Sequence, residues 1–147
     1  GDDDLVNEIK NYSLFRTYRC SPMTLFELQE TVLKYINKQE KEIPFWNLIT
    51  QPYSSLEDRC KNIAKSISFS TSIEKGESVI GGGTLPDVTL ESPILLINNE
   101  KTVDTVNQLI KNDIPIVPRI IKDQVCLDLR SVFHNQDDII VQALNNS

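Results

Sequence analysis

The chain has 147 residues, of which 39% are hydrophobic, with 15 basic and 21 acidic side chains and one histidine. This length is enough to bury a core without a disulfide or a metal ion. Residues 1 to 75 hold 10 basic and 11 acidic side chains, and residues 76 to 147 hold 5 and 10. The excess of acidic side chains in the second half argues against a surface that binds the phosphate backbone of a nucleic acid.

The cysteines and the apolar runs limit the class of protein further. Cys20, Cys60 and Cys126 are far apart and His134 is isolated, so we expect no metal site. An odd number of scattered cysteines is typical of reduced thiols, which predicts a cytoplasmic location. The longest apolar run, residues 93–97, is far shorter than the ~20 residues of a membrane helix, so we expect no membrane span.

The first half of the chain predicts helices. A short amphipathic segment covers residues 5–11, and Ser21-Pro22 then marks a helix start, with Thr24-x-x-Glu27 as an alternative capping box. Apolar residues at helical spacing predict a helix over residues 23–38. A short helix follows at residues 43–49. A further helix is expected over residues 55–67, capped by Ser55 and with one apolar stripe.

The second half predicts a sheet covered by helices. Short β-like runs lie at residues 69–74, 78–80 and 93–97, and a helix capped by Thr102 follows, with four inward apolar residues, namely Val103, Val106, Leu109 and Ile110. A hairpin is expected from residues 116–121 and 125–130 around a turn near Lys122-Asp123, before a last helix at 137–144. The expected fold class is α+β, an antiparallel or mixed sheet with helices on one face.

The residues alone show no catalytic set, since the chain has one histidine and no phosphate-binding or metal-binding motif. Two interpretations are open for the triple glycine at Gly81, Gly82 and Gly83. The glycines supply positive φ in a loop between strands, or they let a ligand, a cofactor or a neighbouring subunit approach the backbone.

Four arginines are candidate anion-binding residues. Arg16 and Arg19 form either a solvated or salt-bridged pair or, if their segment turns so that both share a face, an anion clamp. Arg119 and Arg130, on the expected hairpin, are weaker candidates and are more typical of charges on a sheet face.

Several motifs, in one order along the chain, resemble those of bacterial selenocysteine synthases, the L-seryl-tRNA(Sec) selenium transferases. The matching segments run from about residue 5 to residue 144, and they are Leu14-Phe15-Arg16-x-x-Arg19, Met23-Thr24-Leu25, Ile43-Pro44, Gly81-Gly82-Gly83-Thr84-Leu85-Pro86, Leu90-x-Ser92, Pro115 to Arg119 and Leu127-Asp128-Leu129-Arg130-Ser131-Val132. Each motif is weak alone, but their common order and compatible spacing are specific.

The resemblance implies a fold-type-I pyridoxal phosphate scaffold of which this chain is the C-terminal part. Residues 1–66 would hold the end of the large domain with its connecting helices, and residues 67–147 the α+β small domain. The family's cofactor lysine lies in an upstream Gly-Asp-Lys motif that this chain lacks. The resemblance therefore implies that pyridoxal phosphate belongs to the parent enzyme, that no catalytic residue lies in this chain, and that the chain alone is inactive.

The same resemblance implies an activity and its partners. The parent would convert seryl-tRNA(Sec) into selenocysteinyl-tRNA(Sec), with selenophosphate as selenium donor. Arg16 and Arg19 match the pair that binds the selenophosphate-type anion in this family. The parent would be a homo-oligomer with active sites at subunit boundaries, where the triple glycine would face a neighbour. The tRNA-gripping N-terminal domain is not in this chain, so we expect the chain alone not to bind nucleic acid.

One departure from the family pattern keeps alternatives open. After Arg19 the family continues with an apolar residue, an aspartate and a lysine, whereas this chain has Cys20-Ser21-Pro22. The parent would then be another fold-type-I lyase or aminotransferase. A stand-alone interaction module, docking through its sheet with the glycine loop at the contact, is the alternative from a different class.

Overall fold

The computed structural model describes residues 1–81 and 85–146. The chain divides into two compact units, Gly1–Ile43 and Pro44–Ser147. The expected boundary between residues 66 and 67 concerns the domains of a longer enzyme, and it stays a prediction. None of the described helices is long and apolar enough to cross a membrane.

The first unit contains two α-helices, a 3-10 helix between them and a short 3-10 helix at Glu40–Glu42. Helix α1 spans Asp3–Asn11, a 3-10 helix spans Ser13–Tyr18, and helix α2 spans Pro22–Ile36. The side chain of Ser21 accepts a hydrogen bond from the Thr24 N–H at 3.1 Å, so α2 starts at Ser21-Pro22 and not at the alternative box. No residue of α1 or α2 is buried, although α2 is rich in apolar side chains.

The second unit begins with helices and continues into the sheet. Its elements are helix α3 (Pro44–Ile49), helix α4 (Tyr53–Ser66), strand β1 (Ser70–Gly81), strand β2 (Leu85–Asn98), helix α5 (Thr102–Lys111), strands β3 (Arg119–Ile121) and β4 (Gln124–Asp128), and helix α6 (Asp137–Asn145). The two short runs expected at 69–74 and 78–80 are one continuous strand, β1.

The described strands form one antiparallel sheet in the order β1-β2-β4-β3. Strands β1 and β2 pair along most of their length, with Ile73 opposite Leu95, and β4 continues the sheet with Leu127 opposite Leu95. Lys122 and Asp123 both have positive φ in the tight turn between β3 and β4. The predicted α+β class and the predicted hairpin are confirmed.

The main core lies between one face of this sheet and helices α4, α5 and α6. It contains the predicted apolar stripe of α4 together with strand and helix residues, among them Leu56, Cys60, Ile63, Leu95, Ile97, Leu109, Val125, Leu127, Leu129, Ile140 and Leu144. The prediction of helices on one sheet face is confirmed by this packing.

Three local predictions were wrong. Helix α4 starts at Tyr53, after Pro52, without the expected Ser55 cap. Helix α5 has no side-chain cap, because the Thr102 hydroxyl instead donates to the carbonyls of Asn99 and Asp123. The predicted inward face of α5 was wrong at two of its four positions. Val103 is 67% exposed and Ile110 is 43% exposed, whereas Leu109 is buried and Val106 packs against the core as predicted.

The other face of the sheet has a smaller buried cluster of Ile94, Leu96 and Cys126. Alternate residues of a strand point to opposite faces, which separates this cluster from Leu95 and its neighbours. Gly76 lies against the cluster, since a Cβ at this position would stand 2.5 Å from Cγ1 of Ile94. This second face carries the polar residues that form the candidate site.

Candidate functional site

The carboxylate of Asp128 joins all four described strands on the second face of the sheet. Its Oδ1 accepts from the Ser92 hydroxyl of β2 at 2.8 Å, and its Oδ2 accepts from the Ser78 hydroxyl of β1. Arg119 of β3 donates from Nη2 to Oδ2 at 3.2 Å, and the backbone N–H of Arg130 donates to Oδ1 at 3.1 Å. Asp128 is thus an acceptor for four donors, which compensates for its partial burial.

Arg119 spans the sheet surface from its edge strand. Besides the bond to Asp128, its Nη1 donates to the Glu77 carbonyl of β1 at 3.2 Å. Because β1 and β3 lie at opposite edges of the sheet, these bonds show that the sheet curls around its second face. The Arg119 side chain is 44% exposed, so its cationic group remains open to solvent.

Arg130 occupies a different position from the sheet-face charge that its sequence context suggested. It is 7% exposed and lies in a 3-10 turn directly after β4. Its Nη1 donates to the carbonyls of Ile49 and Gln51, and its Nη2 donates to the carbonyl of Glu91. No described carboxylate forms an ion pair with this guanidinium. Its Nε has no partner and is shielded from solvent.

These polar groups line a cavity of about 460 Å³ in the second unit. Its apolar wall comes from α3, from β1 and β2 and from the segment before β3, and consists mainly of Phe45, Leu48, Ile49, Ile80, Leu90 and Val117. Arg119 and Arg130 contribute two positive charges and Asp128 one negative charge. In a chain of net charge −6, this cavity therefore has a local surplus of positive charge.

Arg16 and Arg19 lie in the first unit, at the turn between its two helices. Arg16 is within the 3-10 helix Ser13–Tyr18, and Arg19 follows it in an extended conformation. Because Arg19 lies outside the 3-10 helix, the alignment of residues three apart in such a helix does not apply to this pair. Arg19 also lies over the Phe15 ring, 5.8 Å from the ring centroid. Both arginines are exposed.

The triple glycine is described only at its first residue. Gly81 is the last residue of β1, its φ is not positive, and a Cβ there would meet nothing within 4 Å. Gly82 and Gly83 lie outside the described residues. The choice between a turn-forming loop and a close-approach loop stays open.

The remaining candidate groups offer no nucleophile or metal site. Burial raises the pKa of the Cys60 thiol to about 12 and also raises the pKa of Cys126, so both stay protonated. His134 is exposed in a short 3-10 turn. Among the described residues, no group of three or more histidine, cysteine or acidic side chains is placed to hold a metal ion.

The lining of the cavity around Asp128 does not fit covalently bound pyridoxal phosphate, because it contains no lysine. A lysine that binds this cofactor must lose its proton, whereas hydrogen bonds to Glu57 and Glu91 raise the pKa values of Lys61 and Lys75.

Sequence reasoning missed the serines and the aspartate at the centre of this cavity. Ser78, Ser92 and Asp128 lie on three different strands. Only Asp128 has apolar residues on both sides in the sequence, Leu127 and Leu129, whereas each serine follows a glutamate. Local alternation therefore indicates a polar sheet face only at Asp128. Their convergence depends on long-range strand pairing and on the curl of the sheet, neither of which local patterns report.

Comparisons with known proteins extend the sequence resemblance. The family model described as L-seryl-tRNA selenium transferase matches residues 1–133. L-seryl-tRNA(Sec) selenium transferases from Clostridium perfringens and Campylobacter fetus are both 30% identical to this chain, and the protein from Campylobacter jejuni is 28% identical. These alignments cover 98–99% of this chain but only 32–33% of each relative, so the chain spans about a third of their length.

The family match includes the arginine pair of the first unit as well as Asp128 and both arginines of the cavity. Only residues 134–147, with the 3-10 turn His134–Gln136 and helix α6, lie outside this match. The chain therefore belongs to the L-seryl-tRNA selenium transferase family.

Proposed function

We propose that this chain is the C-terminal part of an enzyme that converts seryl-tRNA(Sec) into selenocysteinyl-tRNA(Sec), with selenophosphate as the selenium donor. The observation that carries the proposal is the family match over residues 1–133, with relatives that are about three times as long. The function of those relatives, as their name states it, is selenium transfer to L-seryl-tRNA(Sec).

The exposed apolar surface of the first unit supports the view that the chain is part of a larger enzyme. Leu25, Phe26 and Leu28 of α2 are all more than half exposed, and no residue of this helix is buried. Helices that are apolar on several sides are normally buried in a larger protein. We propose that residues 1–66 contribute to the large domain of the parent and that residues 67–147 form its small domain.

Arg16 and Arg19 are the proposed anion-binding residues of the complete enzyme. A pair of guanidinium groups on one turn can bind the oxygens of selenophosphate with several charge-assisted hydrogen bonds. The Cys20-Ser21-Pro22 segment that follows them has a structural role here, because Ser21 caps α2 and Pro22 opens it. This role accounts for Ser21 and Pro22 without requiring a different substrate.

Pyridoxal phosphate is proposed as the cofactor of the complete enzyme. It would supply the electron sink that loss of the serine hydroxyl requires. The lysine that binds it would come from the upstream part of the parent, and the chain alone would be inactive. We propose a cytoplasmic homo-oligomer, in which the tRNA is held by a domain outside this chain.

The test is to express the complete reading frame and to measure selenocysteinyl-tRNA(Sec) formation from seryl-tRNA(Sec) and selenophosphate. The 147-residue chain and a parent without its cofactor lysine serve as matched controls, and neither should form product. Activity on a free amino acid in place of the charged tRNA would assign the parent to another class of fold-type-I lyase or aminotransferase. A start codon directly upstream of residue 1 would instead favour a stand-alone interaction module.

A further inference from the structure

Arg130 is a buried cation with an incomplete set of hydrogen bonds. A guanidinium has five N–H donors, and three of them in Arg130 are used by the carbonyls of Ile49, Gln51 and Glu91. The Nε–H and one N–H of Nη2 are left without an assigned acceptor. Leaving a buried donor without a partner is unfavourable, and leaving a buried charge unpaired is more so.

The unused Nε–H is one of the two donors of the fork with which a guanidinium binds an anion. On a planar guanidinium the Nε–H and one N–H of Nη2 point in the same direction, and together they hold a carboxylate or phosphate group by two parallel bonds. The carboxylate of Asp128 is close in sequence, but it already accepts from four other donors and none of them belongs to the Arg130 side chain. The fork therefore lacks its anion.

The cavity beside Arg130 provides the rest of a binding site. Arg119 is partly exposed at its rim and adds a second cation. The facing wall is apolar, with Phe45 from α3 and Leu90 from β2. A volume of about 460 Å³ falls within the range of small-molecule pockets, and a few polar groups in an apolar wall are typical of such sites.

We propose that this cavity binds a small organic anion, with its carboxylate or phosphate group on Arg130 and Arg119 and its apolar body against Phe45. Because Nε of Arg130 is shielded from solvent, the anion must displace the atoms that cover this donor. The residues that line this cavity belong to the second compact unit, whereas Arg16 and Arg19 belong to the first. The proposal does not depend on selenium transfer.

The test uses benzoate and phenyl phosphate as probes, with inorganic phosphate and uncharged benzyl alcohol for comparison. Calorimetry on the complete enzyme should show saturable binding of one or both amphipathic anions and no binding of benzyl alcohol. In the 147-residue chain, the Nε–H resonance of Arg130 should shift with the same midpoint. Preference for benzoate or for phenyl phosphate identifies the carboxylate or the phosphate as the natural group.

Two variants test the contacts without removing Arg130, whose loss would release the loops that it holds. Arg119→Gln should weaken the amphipathic anions by about tenfold, because a charge-assisted bond is lost. Phe45→Ala should weaken them several-fold and leave inorganic phosphate unchanged. Lys65→Gln removes an exposed charge on α4, so it is the matched control and should not change binding.

Four results would overturn the proposal. The first two are the absence of saturable binding and equal binding of benzyl alcohol. The third is binding that Arg119→Gln leaves unchanged while the Arg130 resonance stays fixed. The fourth is binding by the 147-residue chain but not by the complete enzyme, which would show that the enzyme's own residues fill the cavity. None of these results bears on selenocysteinyl-tRNA(Sec) formation, so failure of this proposal and failure of the proposed function are distinguishable.

Discussion

The buried Arg59 of α4 and the partly buried Asp137 at the start of α6 form an ion pair with two hydrogen bonds. The Nε–Oδ2 distance is 2.9 Å and the Nη2–Oδ1 distance is 2.7 Å. The Arg59 guanidinium also donates to the carbonyls of Leu129 and Val132, so it connects α4 to the segment between the last strand and the last helix. A buried pair of this kind fixes one arrangement of the elements, because each charge depends on the other.

Removal of one partner should therefore destabilise the second unit strongly. We expect Asp137→Ala to lower the free energy of unfolding by about 3–5 kcal/mol, since the Arg59 charge is left buried without its anion. Urea denaturation followed by Trp46 fluorescence measures the change. Lys61→Ala breaks an exposed pair with Glu57 on the same helix and should show no measurable loss. Equal effects of the two substitutions would contradict this account.

The second prediction concerns the Asp128 carboxylate. Asp128→Asn keeps the size of the side chain but removes its charge and replaces one acceptor oxygen by a donor, so some of its four donors lose their acceptor. We expect a loss of about 2–3 kcal/mol in the free energy of unfolding. Asp123→Asn, in the turn of the same hairpin, should stay within about 0.5 kcal/mol because asparagine tolerates positive φ.

A third prediction follows from the close approach of β1 to Ile94. Gly76→Ala places a Cβ 2.5 Å from Cγ1 of Ile94, which is itself buried, and should cost about 1–3 kcal/mol by overpacking. Gly81→Ala faces open space and should be close to neutral. In the double variant Gly76→Ala with Ile94→Ala, the two effects should be less than additive. Strict additivity in chemical denaturation would show that the two positions do not interact.

Local sequence patterns predicted the elements that depend on local chemistry. Helix α2 begins where Ser21-Pro22 indicates, and the α4 stripe packs as its spacing predicts. The start of α4 was missed because Pro52, whose φ of −62° suits a helix start, allows the helix to begin at Tyr53, before Ser55.

The candidate site could not be predicted from local patterns, because it forms through contacts between residues that are far apart in the chain. Gly76 inside β1 looks like a break between two strands, but the structure uses its missing Cβ to pack Ile94. Arg130 looks like a surface charge, and its burial results from contacts with carbonyls of α3, of the next loop and of β2. Such contacts follow only from the curled sheet and the placement of α3.

The fourth prediction is the order in which the three thiols react. Cys20 is exposed, whereas Cys60 and Cys126 are buried. A thiol reagent at pH 8 should therefore modify one cysteine quickly and the other two only on unfolding. Two or three fast thiols in the native chain would contradict the packing described here.

Burial of Cys60 also makes stability depend on pH in the alkaline range. Its pKa is about 12 in the folded chain and 9.0 when unperturbed, so the unfolded state loses this proton first. The contribution is complete below about pH 9 and is lost between pH 9 and 12, with a slope of at most about 1.4 kcal/mol per pH unit. Cys60→Ala should be less stable at pH 8 but should lose less stability on going to pH 10.5. Parallel curves for the two proteins would exclude Cys60 as the source.

The last prediction concerns selenophosphate use by the complete enzyme. Arg16→Ala and Arg19→Ala should each raise the KM for selenophosphate by about tenfold or more, because each removes a charge-assisted bond of about 1.5–3 kcal/mol. The absorbance of the cofactor should stay unchanged, since neither residue is proposed to contact it. Lys10→Ala removes an exposed positive charge from the neighbouring helix and is the matched control.

A conservative variant separates binding geometry from charge at Arg19. Arg19→Lys keeps the positive charge but loses the planar fork and the guanidinium stacked over Phe15, so we expect an effect between wild type and Arg19→Ala. If the net charge of this region alone determined selenophosphate binding, Arg19→Lys would have the KM of the wild type and Lys10→Ala would have a higher KM. Unchanged kinetics for both alanine variants would show that Arg16 and Arg19 are a solvated surface pair that does not bind selenophosphate.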